Sequence, residues 1–185
     1  RPQARRLSPN VTRISATREK MMDDYSKLLQ DLLNEYARSV GLSSLTLDEA
    51  GRCCLLFDDK VSVTLESHPE TGALVMFAEL GPLPAEREHD FCRRMLQGNY
   101  FWQHTGGLGT LALSPEEDPN LPPTALLMYQ TALSSLDFGT FQNRLSDFVD
   151  TAEAWIDYLS EFDQAKDSDE VQMPQPGHDS PMLRV

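Results

Sequence analysis

RCCLLFDDKVSVTLESHPETGALVMFAEL, residues 52–80, packs three strand signals into one unbroken stretch. Residues 52–57 are apolar nearly throughout, the pattern of a strand covered on both faces. Asp58-Asp59-Lys60 reads as a turn. Val61, Val63 and Leu65 then alternate with Ser62, Thr64 and Glu66, which puts one face of a second strand in a core and the other toward water. His68-Pro69-Glu70-Thr71-Gly72 is a further turn, signalled by its proline and glycine. Residues 73–80 make a third strand. Turns this short force the strands to run antiparallel, because a parallel pair needs a long crossover between its members.

Upstream the period changes from two to three and four. Tyr25, Leu28, Leu29, Leu32, Leu33, Tyr36, Ala37 and Val40 share one face of a helix over about residues 22–40. Asp23 and Asp24 at its start suit the helix dipole, and Gly41 is a natural stop. A short strand at Leu45–Asp48 is expected before the three. Downstream, Gly81-Pro82-Leu83-Pro84 breaks the sheet. Residues 85–97 read as a second helix whose apolar set is Phe91, Cys92, Met95 and Leu96, with the aromatic triplet Tyr100-Phe101-Trp102 behind it. A fourth strand is expected over 108–113, a proline-rich acidic loop over 114–123 and a fifth strand over 124–133. Phe138, Phe141, Leu145, Phe148, Val149, Ala152, Trp155, Ile156 and Leu159 define a last long helix. The order α–βββ–α–ββ–α predicts an α+β fold, an antiparallel twisted sheet with three helices.

The chain has 185 residues, 40% of them apolar, which is enough for one domain with a real core. Its net charge of -13 excludes a duplex or RNA binder, whose surface must be basic. No apolar run is long enough to span a bilayer, so membrane insertion is not expected. Cys53 and Cys54 are adjacent and Cys92 is distant, which reads as reduced thiols in a cytoplasm. The charge is uneven. Residues 1–20 hold Arg1, Arg5, Arg6, Arg13, Arg18 and Lys20 against Glu19 alone, and the remainder is strongly acidic. Met21-Met22 reads as a start, which makes residues 1–20 an extended leader: an extension, a mis-called start or a fused segment. The domain then covers 21–162, and 163–185, polar, acidic and proline-containing, reads as a disordered tail.

Chemistry-bearing patterns are sparse. His68, His89, His104, His178 and the cysteines form no close-spaced ligand pairs, so no metal and no cofactor are expected. Asp58-Asp59 precedes a lysine in a turn, not a catalytic carboxylate pair. Gly106-Gly107 leads into a strand, whereas phosphate cradles open a helix. No catalytic residues emerge, and an enzyme is the least supported class beside a binding module. Tyr100-Phe101-Trp102 fits either packing or a partner surface.

Taken along the chain, these residues resemble the class I type III secretion chaperones, the Tir-chaperone-like (CesT-like) family. The resemblance covers about residues 22–162. It rests on Leu45-Thr46-Leu47-Asp48-Glu49, the strand Cys53-Cys54-Leu55-Leu56-Phe57, the run from Met95 through Trp102 into Gly106-Gly107 and Gly109–Leu113, and Phe141, Leu145, Phe148, Val149, Ala152, Glu153 and Trp155 near the end. It implies a cytoplasmic bacterial homodimer, without catalysis, that binds the extended N-terminal segment of a secreted effector and keeps it export-competent. It places the dimer contact at Phe91, Met95, Leu96 and Leu111. The expected partner surface is Leu29, Leu32, Leu33 and Tyr36 on the first helix, with Val61 and Val63 on the sheet. An alternative of the same fold is a partner-switching regulator of secretion-gene expression, which the ending Met182-Leu183-Arg184-Val185 resembles. Leu7, Val11 and Ile14 share the spacing of a chaperone-binding motif carried by the family's substrates, except that Ala16 stands where that motif has Asn. Such a segment would add a strand to an open sheet edge, and its basic charge would suit the acidic body.

Overall fold

In the computed structural model, which describes residues 9–68, 70–107, 109–114, 121–165 and 171–175, the elements follow the expected order. They are α1 (Pro9–Ser39), β1 (Arg52–Phe57), β2 (Val61–His68), β3 (Ala73–Pro82), α2 (Glu88–Asn99), β4 (Thr110–Leu113), β5 (Thr124–Ala132) and α3 (Phe138–Gln164). A 3-10 turn, Tyr100–Trp102, follows α2, and another, Leu133–Ser135, precedes α3.

The five strands form one antiparallel sheet in the order β1-β2-β3-β5-β4. Each pairing keeps apolar side chains in step. Leu55, Val63, Ala78, Leu127 and Leu111 lie in one cross-strand row, and all are buried. The helices α1 and α3 cover this face and touch each other, with the Tyr36 and Phe141 rings meeting edge-on at 6.2 Å. Trp155, Tyr158, Phe91 and Phe162 form an aromatic cluster that joins α2 to α3. Arg87 completes that end. Its Nη1 donates to the carbonyls of Phe162 and Ala165 at 2.7 and 3.1 Å, and its guanidinium lies 3.9 Å from the Phe162 ring centre. The last carbonyls of α3 thus gain a cation where the helix dipole favours one.

Several boundaries differ from expectation, each for a local reason. Helix α1 starts at Pro9 rather than near 22, so the leader is helical from that residue and not extended. Pro9 suits a first helical position, and the residues after it include good helix formers and no glycine. Strand β1 is buried on one face only. Cys53 and Leu55 point inward, whereas Arg52, Cys54 and Leu56 are exposed, because the strand lies at the sheet edge and no described element covers its outer face. Residues 45–48 are not a strand, although the Gln30 side chain serves them like one. Its Nε2 donates to the Leu45 carbonyl (2.7 Å) and its Oε1 accepts from the Leu47 amide (3.1 Å). The tail expected to be disordered from 163 is ordered in part. Helix α3 runs on to Gln164, and residues 171–175 return to the body.

Candidate functional site

Asp58 and Asp59 have φ of 49° and 55°, and the Lys60 amide closes their turn onto the Phe57 carbonyl at 2.9 Å. This turn fixes the register of β1 on β2, and with it which backbone groups of β1 face outward. The Arg52 amide and carbonyl both bond to Asp48, at 2.9 Å through the carboxylate and 2.8 Å through the backbone amide. The Arg52 backbone groups therefore face away from β2. By the two-residue alternation of an antiparallel ladder, so do the backbone groups of Cys54 and Leu56. Among the described residues nothing pairs with them.

The opposite edge is used by the chain itself. The Asn99 amide donates to the Leu111 carbonyl (3.0 Å) and accepts from the Leu111 amide (2.8 Å). The Thr105 hydroxyl donates to the Gly109 carbonyl at 2.8 Å. Helix α2 and the loop behind it thus blunt β4 at Leu111, which is one way proteins manage an edge, whereas the outward backbone groups of Cys54 and Leu56 on β1 have no partner among the described residues.

The outer sheet face beside that edge is partly apolar. Across the strands, Cys54, Thr64, Phe77 and Met128 stand in one row, with Leu126 and Val75 one step along. Phe77, Leu126 and Val75 are half-buried, whereas Leu56 is 63% exposed. The ion pair Arg52–Glu66, at 3.2 Å, marks the polar limit of this face. Further exposed apolar side chains stand on α2, its following turn and β4. Leu96 is 71% and Phe101 70% exposed, and Tyr100, Trp102 and Leu113 are exposed too. Phe101 and Trp102 take φ near 50°, a conformation that bulky L residues avoid.

The residues expected to meet a partner are placed otherwise. Leu29, Leu33, Tyr36, Val61 and Val63 are buried in the core, and Leu32 is half-buried against it. Their periodicity is that of the inward stripe, so they hold the fold, while their exposed neighbours Leu28 and Leu56 face solvent. Of the four expected dimer residues, Phe91, Met95 and Leu111 are buried within the single chain, and only Leu96 is exposed. Leu7 lies outside the described residues. Val11 and Ile14 fall on the helical backbone of α1, so the leader does not present the extended form that a strand-adding motif needs. The open backbone of Cys54 and Leu56 gave no signal in the sequence, since Asp48 and Asn99 declare their pairing only in three dimensions.

Among the described residues, two cysteines have shifted thiols. Burial raises the Cys53 thiol, helped by Cys54 and Asp48, and burial raises Cys92. Among the described residues no three metal-ligating side chains converge, and no helix is long and apolar enough to cross a membrane.

This arrangement of helices around a half-covered sheet is that of a known class. Residues 31–156 match the Tir chaperone protein (CesT) family, and the chain belongs to that family, the class I type III secretion chaperones. The transcriptional anti-antiactivator ExsC of Pseudomonas aeruginosa is 31% identical over 132 residues, which cover 71% of this chain and 86% of that protein. The crystal structure of the ExsC–ExsE complex has a chain that matches at a TM-score of 0.57 and 28% identity, over 72% of this chain and 95% of that one. The Yersinia pestis type III secretion chaperone SycH, solved with a fragment of YscM2, matches at a TM-score of 0.50 and 25% identity, over 66% and 95%.

Proposed function

We propose that this protein is a type III secretion chaperone, a homodimer that holds the extended N-terminal segment of a secreted effector in the bacterial cytoplasm and performs no catalytic step. The observation that carries the reading is the β1 edge in a chain of this family, with the Cys54 and Leu56 backbone groups open and an apolar outer face beside them. A segment laid along β1 gains main-chain bonds there, and apolar side chains at alternate positions reach Leu56 and the row behind it. The acidic body favours a basic segment and speeds its capture. Binding shields apolar surface and an unpaired edge at once, the two hazards of an unfolded export substrate. The dimer contact is assigned to Leu96 with Tyr100, Phe101, Trp102 and Leu113, all exposed in the single chain. Light scattering tests it: Leu96→Asp turns the dimer into a folded monomer, whereas a Leu96→Asp variant that stays dimeric refutes the contact.

The relation to the anti-antiactivator ExsC supports a second reading, a partner-switching regulator of secretion-gene expression. Deleting the gene in its host separates the two. A chaperone's loss abolishes export of its own substrate and leaves secretion-gene transcripts unchanged. A positive partner-switch's loss lowers those transcripts together. Unchanged export and unchanged transcripts would overturn both.

A further inference from the structure

Residues 171–175 lie beyond the span 31–156 that the family accounts for, yet the body holds them. Val171 and Met173, two residues apart, are half-buried and pack against the core, while Gln172 and Gln175 face water. Over Val171–Met173 this is the alternation of an extended segment lying on a surface, and Pro174 beside it is half-buried too. The next carbonyl, that of Pro174, is 2.7 Å from His104 Nδ1. A carbonyl only accepts, so Nδ1 carries the proton. His104 is itself fixed from the other side, because its own carbonyl accepts from Trp155 Nε1 at 2.8 Å. One residue thus ties the tail to α3.

Chain length permits this return without strain. Trp155 lies nine residues, about 14 Å, back along α3 from Gln164 at 1.5 Å per residue. The nine residue steps from Ala165 to Pro174 reach roughly 30 Å when extended. His104 also sits two residues after Trp102, in the loop that carries the strained aromatic turn. The Thr105 and Gly107 amides close that loop onto the Trp102 carbonyl at 3.3 and 3.1 Å.

We propose that Val171–Pro174 is a strap docked in cis on an extended-segment site of its own chain, with two apolar seats and the His104 imidazole for the carbonyl that follows, and that its occupancy holds the turn Tyr100–Trp102 in the solvent-facing form. Two half-buried side chains and one hydrogen bond are a small hold. The tether keeps the local concentration of the strap high, so the site is filled in the free protein and remains releasable. Anything that draws the tail away then loosens the aromatic turn through His104, while β2 and β3 keep their pairing. This inference does not depend on which partner the β1 edge takes.

Hydrogen exchange on the full chain tests it. In Val171→Asp/Met173→Asp, the Thr105 and Gly107 amides exchange at least tenfold faster and the β2 and β3 amides are unchanged. His104→Ala gives the same local pattern. A synthetic peptide of residues 170–177 added to the double variant restores the protection, and the same peptide with both aspartates does not. Unchanged exchange at Thr105 and Gly107 in the variants overturns the strap. Failure of the peptide to restore protection overturns the segment site. Protection in the unaltered protein that falls on dilution into the monomer places the strap on a second copy and overturns docking in cis.

Discussion

Gly98 of α2 packs against the indole of Trp155: a Cβ at position 98 would stand 2.7 Å from Trp155 Cζ2 and 2.9 Å from Leu111 Cδ1. Trp155 is fully buried and hydrogen-bonded through its indole nitrogen, so it has nowhere to retreat. Gly98→Ala gains up to about 1 kcal/mol of helix propensity but meets an overpacking cost of roughly 1–3 kcal/mol. The expected outcome is a net loss of stability, larger for Gly98→Val, read as a lower urea midpoint at unchanged slope. A Gly98→Ala protein as stable as the parent would mean that α2 can move off α3.

Burial separates core from surface on neighbouring positions. Leu33→Asp and Val63→Asp each put an unpaired charge where no solvent reaches, at a cost above about 3 kcal/mol. Both variants are expected to unfold or melt far below the parent by circular dichroism. Leu56→Asp, on the exposed face of β1, changes stability by less than about 0.5 kcal/mol and weakens capture of an extended segment. Intact folding of Leu33→Asp would contradict its place in the core.

The Tyr158 hydroxyl is buried with no hydrogen-bond partner among the described residues. Burial pushes its pKa upward, against a smaller pull from Arg94 and Arg87. Removing the oxygen relieves a desolvation penalty on the order of 1 kcal/mol, so Tyr158→Phe is expected to match or exceed the parent in thermal stability. A clear drop in melting temperature would show that the hydroxyl holds a water or a partner.

Two surface groups set opposite ends of the pH profile. Lys60 bonds to Asp157 and Glu153 of α3, each at 2.9 Å, and these bonds raise its pKa. Its stabilising share is therefore whole below the ordinary lysine range and is lost as pH climbs through the raised value. Being partly exposed, it is worth at most about 1 kcal/mol and less in salt. Asp137 caps α3 by accepting from the Thr140 amide at 2.7 Å, which lowers its pKa. Its share is present above the ordinary aspartate range and lost as pH falls through the lowered value. Lys60→Met should flatten the alkaline fall in stability and Asp137→Ala the acid fall, both measured as melting temperature against pH. Profiles parallel to the parent's would remove these groups from the account.

The sheet was legible because its signals are local. Alternation at Val61, Val63 and Leu65 and the turns at Asp58-Asp59 and Gly72 dictate pairing between neighbours. The long periodic run from Phe138 fixed α3 equally well. The site was less legible, and the reason is the same periodicity. A stripe such as Leu29, Leu33 and Tyr36 shows that a face is buried but not what buries it, and here α3 and the sheet do. β1 reads as a doubly covered strand because Leu56 is apolar, yet it stands on the uncovered face. Side chains that occupy backbone groups, such as Asn99 on Leu111 or His104 on Pro174, link residues with no shared pattern, so nothing in the sequence announces them.

The central strand β3 is bonded on one side to β2, made just before it, and on the other to β5, from which residues 83–123 separate it. During synthesis the β1–β2–β3 meander can form early, but β3 waits for its second mate until α2 and β4 have been translated. Pairing across so long a span is slow to close. For that interval β3 is a bare, mostly apolar edge, since β5 has not arrived to cover it. A ribosome that pauses before Thr124 would hold the nascent chain in its most adhesive form, so translation speed over 83–123 bears on how much of the protein is recovered folded.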